Sequence, residues 1–399
     1  MSEFAGFAQL AREWTTTNIR IGTRQALSEG LKYRLDRDTP MAKRVTEKVL
    51  VQRLLLIINE GKREATYKLA LLLALIDWCT TNSAKNSPSR IQTRELAERV
   101  LALYWDQVLP YHPPKGRSAL VLKQGNKPLI LSTVAALRKT AGNTASLTQT
   151  KRRHATEYQR AVRAIDRVLA DQPIPRLQMV NRQKIPFLYD VKWQPKKGAA
   201  VVAKGNAHID LLPGVRDGVA ALGSLLRPII ERVWVSDLVE RNKLDSEELF
   251  VHQHLFGSER RVFPPAARKA LSGLQDGLCF YCQTRLATKS HIDHFIPWSK
   301  YPNDAIENLV LACERCNSSK TDYLATPDLV GRWLSHIKTH ATTLSAIADQ
   351  TNLDSDADRT IRLAQGKYNE LADGALLWKA NRTLVQYTAI MRHQIASLF

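Results

Sequence analysis

Apolar residues recur at helical spacing through the first hundred positions of the chain. "MAKRVTEKVLVQRLLLIINEG" (residues 41–61) carries such a stripe and stops at Gly61, a residue suited to closing a helix. "REATYKLALLLALIDWCTT" (63–81) follows almost at once, then "SRIQTRELAERVLALYWDQVL" (89–109), with Pro110 and "HPPKG" ending the unit. Several packed helices are therefore expected in this region.

The middle of the chain is mixed. "KRRHATEYQRAVRAIDRVLA" (151–170) puts Tyr158, Val162, Ile165 and Leu169 on one helical face and Arg160, Arg163 and Arg167 on another. After a proline-punctuated break, "KIPFLYDVKWQPKKG" (184–198) alternates, which sends Phe187, Tyr189, Val191 and Trp193 to one side of a strand facing the core. A long helix is expected over "VAALGSLLRPIIERVWVSDLVERN" (219–242), kinked at Pro228, and a short one over "PPAARKALSGLQDG" (264–277). Helices return in "VGRWLSHIKTHATTLSAIA" (330–348) and "ALLWKANRTLVQYTAIMRHQIA" (375–396), separated by the acidic loop "NLDSDAD". No internal repeat is evident.

The pattern predicts an α+β, mostly α-helical protein in four parts. These are a helical region over 1–114, a basic mixed region followed by a neutral helix over 115–263, a small α+β unit over 264–330, and a helical region over 331–399. The longest apolar run, Leu69 to Ile76, is far short of a membrane span, and the start "MSEFAGFAQLAREW" lacks the form of a secretion signal. A cytoplasmic protein with no membrane partner is expected.

Charge sharpens this picture. The chain carries a net +20, and residues 115–204 alone hold 19 basic against 4 acidic residues. Three-quarters of the excess thus lies in one stretch, which favours a polyanionic partner, nucleic acid above all. The candidate contacts are Lys151, Arg152, Arg153, Arg160, Arg163, Arg167, Lys192, Lys196 and Lys197. Residues 269–330 hold 6 basic and 7 acidic residues, so that unit has little electrostatic hold of its own on a duplex.

Four of the five cysteines form C-x2-C, thirty intervening residues, then C-x2-C: Cys279, Cys282, Cys313 and Cys316. In a chain without a secretion signal this spacing predicts a structural tetrahedral Zn²⁺ site, with all four positions filled by sulfur. Cys79, beside Trp78 in an apolar stretch, reads as a small buried side chain. Between and after the pairs the chain reads strand (290–296), loop, strand ("LVLAC"), then a helix starting near Asn317.

The elements "CFYC", "IDHFIPWS", "ENLVLAC" and "CNSSK" resemble, in order, the HNH family of endonucleases over residues 279–323. The resemblance implies a ββα-metal fold and an enzyme that cuts nucleic acid, double-stranded DNA foremost. It implies His294 as general base, Asp293 and Asn317 as ligands of one catalytic Mg²⁺ (or Mn²⁺ or Ni²⁺), and Asn308 as a brace of the loop. A neutral imidazole can take a proton from water, and a carboxylate is the hard oxygen donor that Mg²⁺ prefers. Lys320, one turn after Asn317, is expected to meet a phosphate. His291, on the strand face of Asp293, is either a further metal ligand or a hydrogen-bonding neighbour. Because successive strand residues point to opposite faces, Asp293 and His294 are expected to serve opposite sides of one phosphodiester.

Two other readings stay open: a zinc-stabilised nucleic-acid-binding module without catalysis, and an RNA-cleaving toxin. Bacterial defence nucleases, such as the HNH component of Zorya-type systems, are a further resemblance, which would bring partner proteins. No G-x-x-x-x-G-K-[ST] signature occurs, so ATP-driven steps would need another subunit.

Overall fold

Leu69–Ile76, most of the helix Tyr67–Thr81, is apolar all the way round, so it must be buried on every side. The computed structural model places it as the central helix of the N-terminal half. The structure describes residues 45–399 apart from 60–65, 84–88, 115–117, 126–127, 181–182, 245–246, 258–261, 288–289 and 381. Gly61 and the chain's first segment, including the start read for a secretion signal, lie outside the described residues.

In chain order, α1 (Glu47–Asn59) and α2 (Tyr67–Thr81) lead to β1 (Arg90–Gln92) and α3 (Thr93–Tyr104). Then come α4 (Leu129–Ala141), α5 (Leu147–Arg153), α6 (Ala155–Asp171) and α7 (Pro173–Arg176). Short strands β2 (Met179–Val180), β3 (Gln183–Lys184) and β4 (Tyr189–Asp190) precede α8 (Gly198–Ala203), β5 (His208–Leu211), α9 (Val215–Asn242) and α10 (Glu248–Phe256). After α11 (Pro265–Leu274) follow β6 (Ser290–His294), β7 (Leu309–Cys313) and α12 (Glu314–Lys320). The chain ends with α13 (Pro327–Thr351), α14 (Ala357–Asn369), β8 (Leu376–Lys379), β9 (Thr383–Gln386) and α15 (Ala389–Leu398). The fold is α+β and mostly helical. Among the described residues, no helix is long and apolar enough to cross a membrane.

One apolar core runs from Leu50 to Leu255, with β1, β5 and β4 as a small antiparallel sheet at its side. A second spans Cys279 to Ile395 and a third joins α11 to Ile306, Leu311 and α13. α2 meets α14 very closely: a Cβ on Gly366 would lie 2.2 Å from the Thr80 carbonyl oxygen.

Several expectations are corrected. Residues 90–92 form a strand paired with 208–210, not the start of a helix. The basic helix breaks at His154, whose backbone is non-helical, because α5 docks on the end of α13 and its following loop while α6 packs on α3 and α4. The aromatic strand shrinks to Tyr189–Asp190. The buried Gln178 side chain takes the place of a neighbouring strand there, accepting from the Phe187 and Leu188 amides and donating to the Tyr189 carbonyl. Phe187 and Tyr189 are core residues, as the alternation implies, and Trp193 donates to the Ala170 carbonyl. The long helix expected over 219–242 is present as α9, with Pro228 inside it.

The largest correction is at the C-terminus. Residues 375–396 are not one helix: a β-hairpin (β8–β9) precedes α15, and α14 lies between it and the acidic loop. Trp378 exchanges backbone hydrogen bonds with Leu324 and Thr326, so a docking segment far back in the chain selects the extended form over helix.

Candidate active site

β6 pairs antiparallel with β7, Asp293 opposite Val310 and His294 opposite Leu309. α12 starts directly after β7, at Glu314 and not near Asn317, because the extended backbone of Cys313 serves as its N-cap. β6 ends at His294, two residues early. The next two amides leave the ladder for Asn308: Phe295 N–H bonds its carbonyl at 2.7 Å and Ile296 N–H its side-chain oxygen at 2.8 Å.

Adjacent positions on β6 send Asp293 and His294 to different surroundings. One oxygen of Asp293, Oδ2, accepts from the Tyr281 hydroxyl at 2.5 Å and lies 3.1 Å from Lys320 Nζ. Its other oxygen has no protein partner among the described residues. Burial, and then the neighbouring Asp293 charge, push the Tyr281 hydroxyl well above the usual phenol range, so it stays a donor.

His294 turns the other way. Its Nε2 lies 2.7 Å from Asp304 Oδ1, and the rings of Phe263 and Trp298 flank the imidazole. Only 8% of the histidine is exposed. Asp304 was not singled out by the sequence: it is one acid in a polar loop, ten residues after the histidine, and no spacing rule marks it.

Asn308 is fully buried. Its amide nitrogen donates to the Ile296 and Asn303 carbonyls at 3.0 and 2.9 Å, which closes the loop between the strands. Asn317 sits half-buried on α12 and its side chain makes no hydrogen bond among the described residues. Lys320 requires a correction: its ammonium does not face solvent where a phosphate would arrive. It is fully buried, donating to the His294 carbonyl at 2.8 Å besides pairing with Asp293. His291 is half-buried on the Asp293 side of β6, and its side chain makes no hydrogen bond among the described residues.

The cysteines converge. Their four sulfurs lie within 4.8 Å of one another, the one such cluster of potential metal ligands among the described residues. A tetrahedron with zinc–sulfur bonds of about 2.3 Å spaces its sulfurs about 3.8 Å apart. Cys282 Sγ and Cys313 Sγ are 3.8 Å apart, and the Cys313 amide donates to Cys279 Sγ at 3.3 Å. Burial holds the Cys279 thiol above its ordinary value. At Cys282 burial acts the same way but the Thr284 hydroxyl and amide outweigh it, bringing that thiol down to about 6. The donor set therefore fits Zn²⁺. Cys79 is buried in the first core, apart from this cluster.

The basic residues lie on other elements, α5, α6 and the segment before α8. Arg160, Arg163 and Arg167 are exposed along α6 while Tyr158, Val162, Ile165 and Leu169 face the core. Lys151, Arg152 and Arg153 are exposed on α5, but Arg152 is engaged by Asp349 and Ser345 on α13. Lys192, Lys196 and Lys197 are exposed, Lys192 with Asp210 at 3.7 Å.

A family model described as HNH endonuclease matches residues 279–323, the β6–β7–α12 unit with its cysteines. A second, described as Domain of unknown function (DUF8808), matches residues 48–251, the N-terminal helical half. No curated protein and no solved structure matches. Neither match carries the Zorya-type assignment.

Proposed function

We propose that this chain, which belongs to the Domain of unknown function (DUF8808) family and carries an HNH endonuclease domain at residues 279–323, is a metal-dependent endonuclease that hydrolyses phosphodiester bonds in DNA. The observation that carries this reading is the pair on β6: a carboxylate with one free oxygen beside an imidazole anchored to a second carboxylate.

In the tautomer with Nε2 protonated, His294 Nε2–H donates to Asp304 Oδ1, which leaves the Nδ1 lone pair to take a proton from water. The hydroxide so formed attacks phosphorus, and the bond to the leaving oxygen breaks on the opposite side. Asp293 and Asn317 would hold a divalent cation, Mg²⁺ with Mn²⁺ or Ni²⁺ as substitutes, which when bound supplies positive charge to the leaving oxygen. Asn308 fixes the loop through which Asp304 reaches His294. Zn²⁺ held by the cysteine quartet would tie β7, α12 and the Cys279–Cys282 knuckle together.

The hold on nucleic acid rests on charge. The catalytic unit is near neutral, so the exposed arginines of α6, with Lys151, Arg153, Lys192, Lys196 and Lys197, supply the hold on the backbone. The setting we propose is restriction or phage defence. Plating efficiency of phage on cells carrying wild type or His294→Ala tests it.

Purified protein with supercoiled plasmid and Mg²⁺ should give nicked or linear product. His294→Ala should lose roughly 10²–10⁴-fold in rate. Labelled RNA run beside DNA separates the toxin reading. If wild type and His294→Ala leave both substrates intact, the protein is a binding module.

A further inference from the structure

Between β6 and β7 the loop 295–305 carries Asp304, the partner of His294. Three residues earlier the same loop sends Tyr301 into the N-terminal helical half. Its ring is 4% exposed, and its hydroxyl donates to Oδ1 of Asp77, which lies on α2. Arg227 of α9 and Arg359 of α14 reach that hydroxyl at 3.2 and 3.3 Å, and the Arg227, Arg359 and Lys367 cations all stand over the ring.

Asp77 is itself held firmly. Arg359 Nη2 is 2.7 Å from its Oδ1 and Arg99 Nε lies 2.8 Å from its Oδ2. Burial would raise its carboxyl, but Arg359, Arg99 and Arg227 keep it below the usual range, so the anion persists at neutral pH.

The next residue along α14, Thr360, takes the other end of the loop: Asn303 Nδ2 donates to its hydroxyl at 3.2 Å. Asp304 thus directly follows two anchors, Tyr301 and Asn303, held at consecutive positions of α14, Arg359 and Thr360. α14 is in turn seated on α2 at the Gly366–Thr80 approach.

Building on the nuclease reading above, we propose that Asp77 and Tyr301 are positioning residues through which the N-terminal half sets the His294–Asp304 contact. Neither touches substrate. They fix the loop that aims Asp304, and the helical half is thereby part of the catalytic apparatus as well as a holder of nucleic acid. A wholly structural Tyr301 would change stability alone.

The test uses the full chain with Tyr301→Phe, which keeps the ring among its cations and removes only the hydroxyl. Asp77→Asn is the second variant. Two measurements are made on each: single-turnover plasmid cleavage with saturating Mg²⁺, and the ¹⁵N resonances of His294 in histidine-labelled protein, assigned with His294→Gln. Tyr301→Phe is expected to slow cleavage about tenfold with DNA affinity unchanged, and to move the His294 Nε2 resonance away from its hydrogen-bonded position. In an Asp304→Asn background Tyr301→Phe should add nothing further, since the contact it serves is already gone. A Tyr301→Phe protein with wild-type resonances overturns the proposal, whatever its stability. If Tyr301→Phe moves the resonance but wild type itself cleaves nothing, the positioning is upheld while the nuclease reading fails. Should Asp77→Asn not fold, Tyr301→Phe alone decides.

Discussion

Asp293 Oδ2 has two donors, and the closer is the Tyr281 hydroxyl at 2.5 Å; the other, Lys320, stands at 3.1 Å. Tyr281→Phe deletes the first without opening a cavity, since only one oxygen leaves a side chain that is 2% exposed. A hydrogen bond to a charged group contributes about 1.5–3 kcal/mol, so unfolding in urea without added metal should come easier by that amount. In the proposed site the same hydroxyl fixes the rotation of the carboxylate whose other oxygen would meet a cation. Losing such an outer partner weakens metal binding roughly 10–100-fold. At about 1.4 kcal/mol per tenfold, that is roughly 1.4–2.8 kcal/mol, the same range as the bond itself. Mn²⁺ titration followed by electron paramagnetic resonance measures this directly, with zinc content checked to show the knuckle intact. The phenol stays protonated far beyond neutral pH, so the effect should be flat between about pH 6 and about pH 9. An unchanged Mn²⁺ affinity in a zinc-replete Tyr281→Phe protein would refute the assignment of Asp293 as a ligand held by Tyr281.

Three further outcomes follow from the geometry. Metal analysis should find one zinc per chain, and its removal by a strong chelator should unfold the β6–β7–α12 unit, read as lost tryptophan order around Trp333 and Trp378; a chain without zinc contradicts the cysteine assignment. Reversing Arg160, Arg163 and Arg167 to Glu should weaken DNA binding and lower the slope of log affinity against log salt by roughly 2–3; an unchanged slope places the contacts elsewhere. Burial, and then His340, lower the His336 imidazole to about 4, so it folds neutral while the unfolded chain takes up a proton below about 6.5. Stability should therefore decline as pH falls through that window, and His336→Gln should reduce the drop in urea midpoint between about pH 7 and about pH 5.

What could be read from the sequence was what metal and phosphate chemistry spaces rigidly. Cys279, Cys282, Cys313 and Cys316 must turn four sulfurs to one point, and an acid beside a histidine on a strand must split between two faces; both patterns survive in the bare string of letters. Helices with one apolar face, such as α6, were legible for a similar reason. Asp304 and Tyr281 were not, because their partners are chosen by a loop and a knuckle whose paths no periodicity records. Lys320 looked like a surface cation at helical spacing, yet packing drew its ammonium beneath Asp293. The C-terminal hairpin was missed since its extended form depends on Leu324 and Thr326, which lie more than fifty positions upstream. Tyr301 and Asp77 stand 224 positions apart, beyond the reach of any local pattern.

The β6–β7–α12 unit has no interior that it owns. Phe295 stacks flat on Trp333 of α13, Tyr281 stands edge-on to Trp378 of the hairpin, and the Tyr368 hydroxyl on α14 closes on the Ala325 carbonyl. Cut free at its family boundaries, the segment would keep its four cysteines and present these aromatic faces to water, so it should aggregate more readily than the intact chain. The matched segment and its neighbours therefore share one interior, so a transplant of residues 279–323 would have to carry α13, α14 and the hairpin with it.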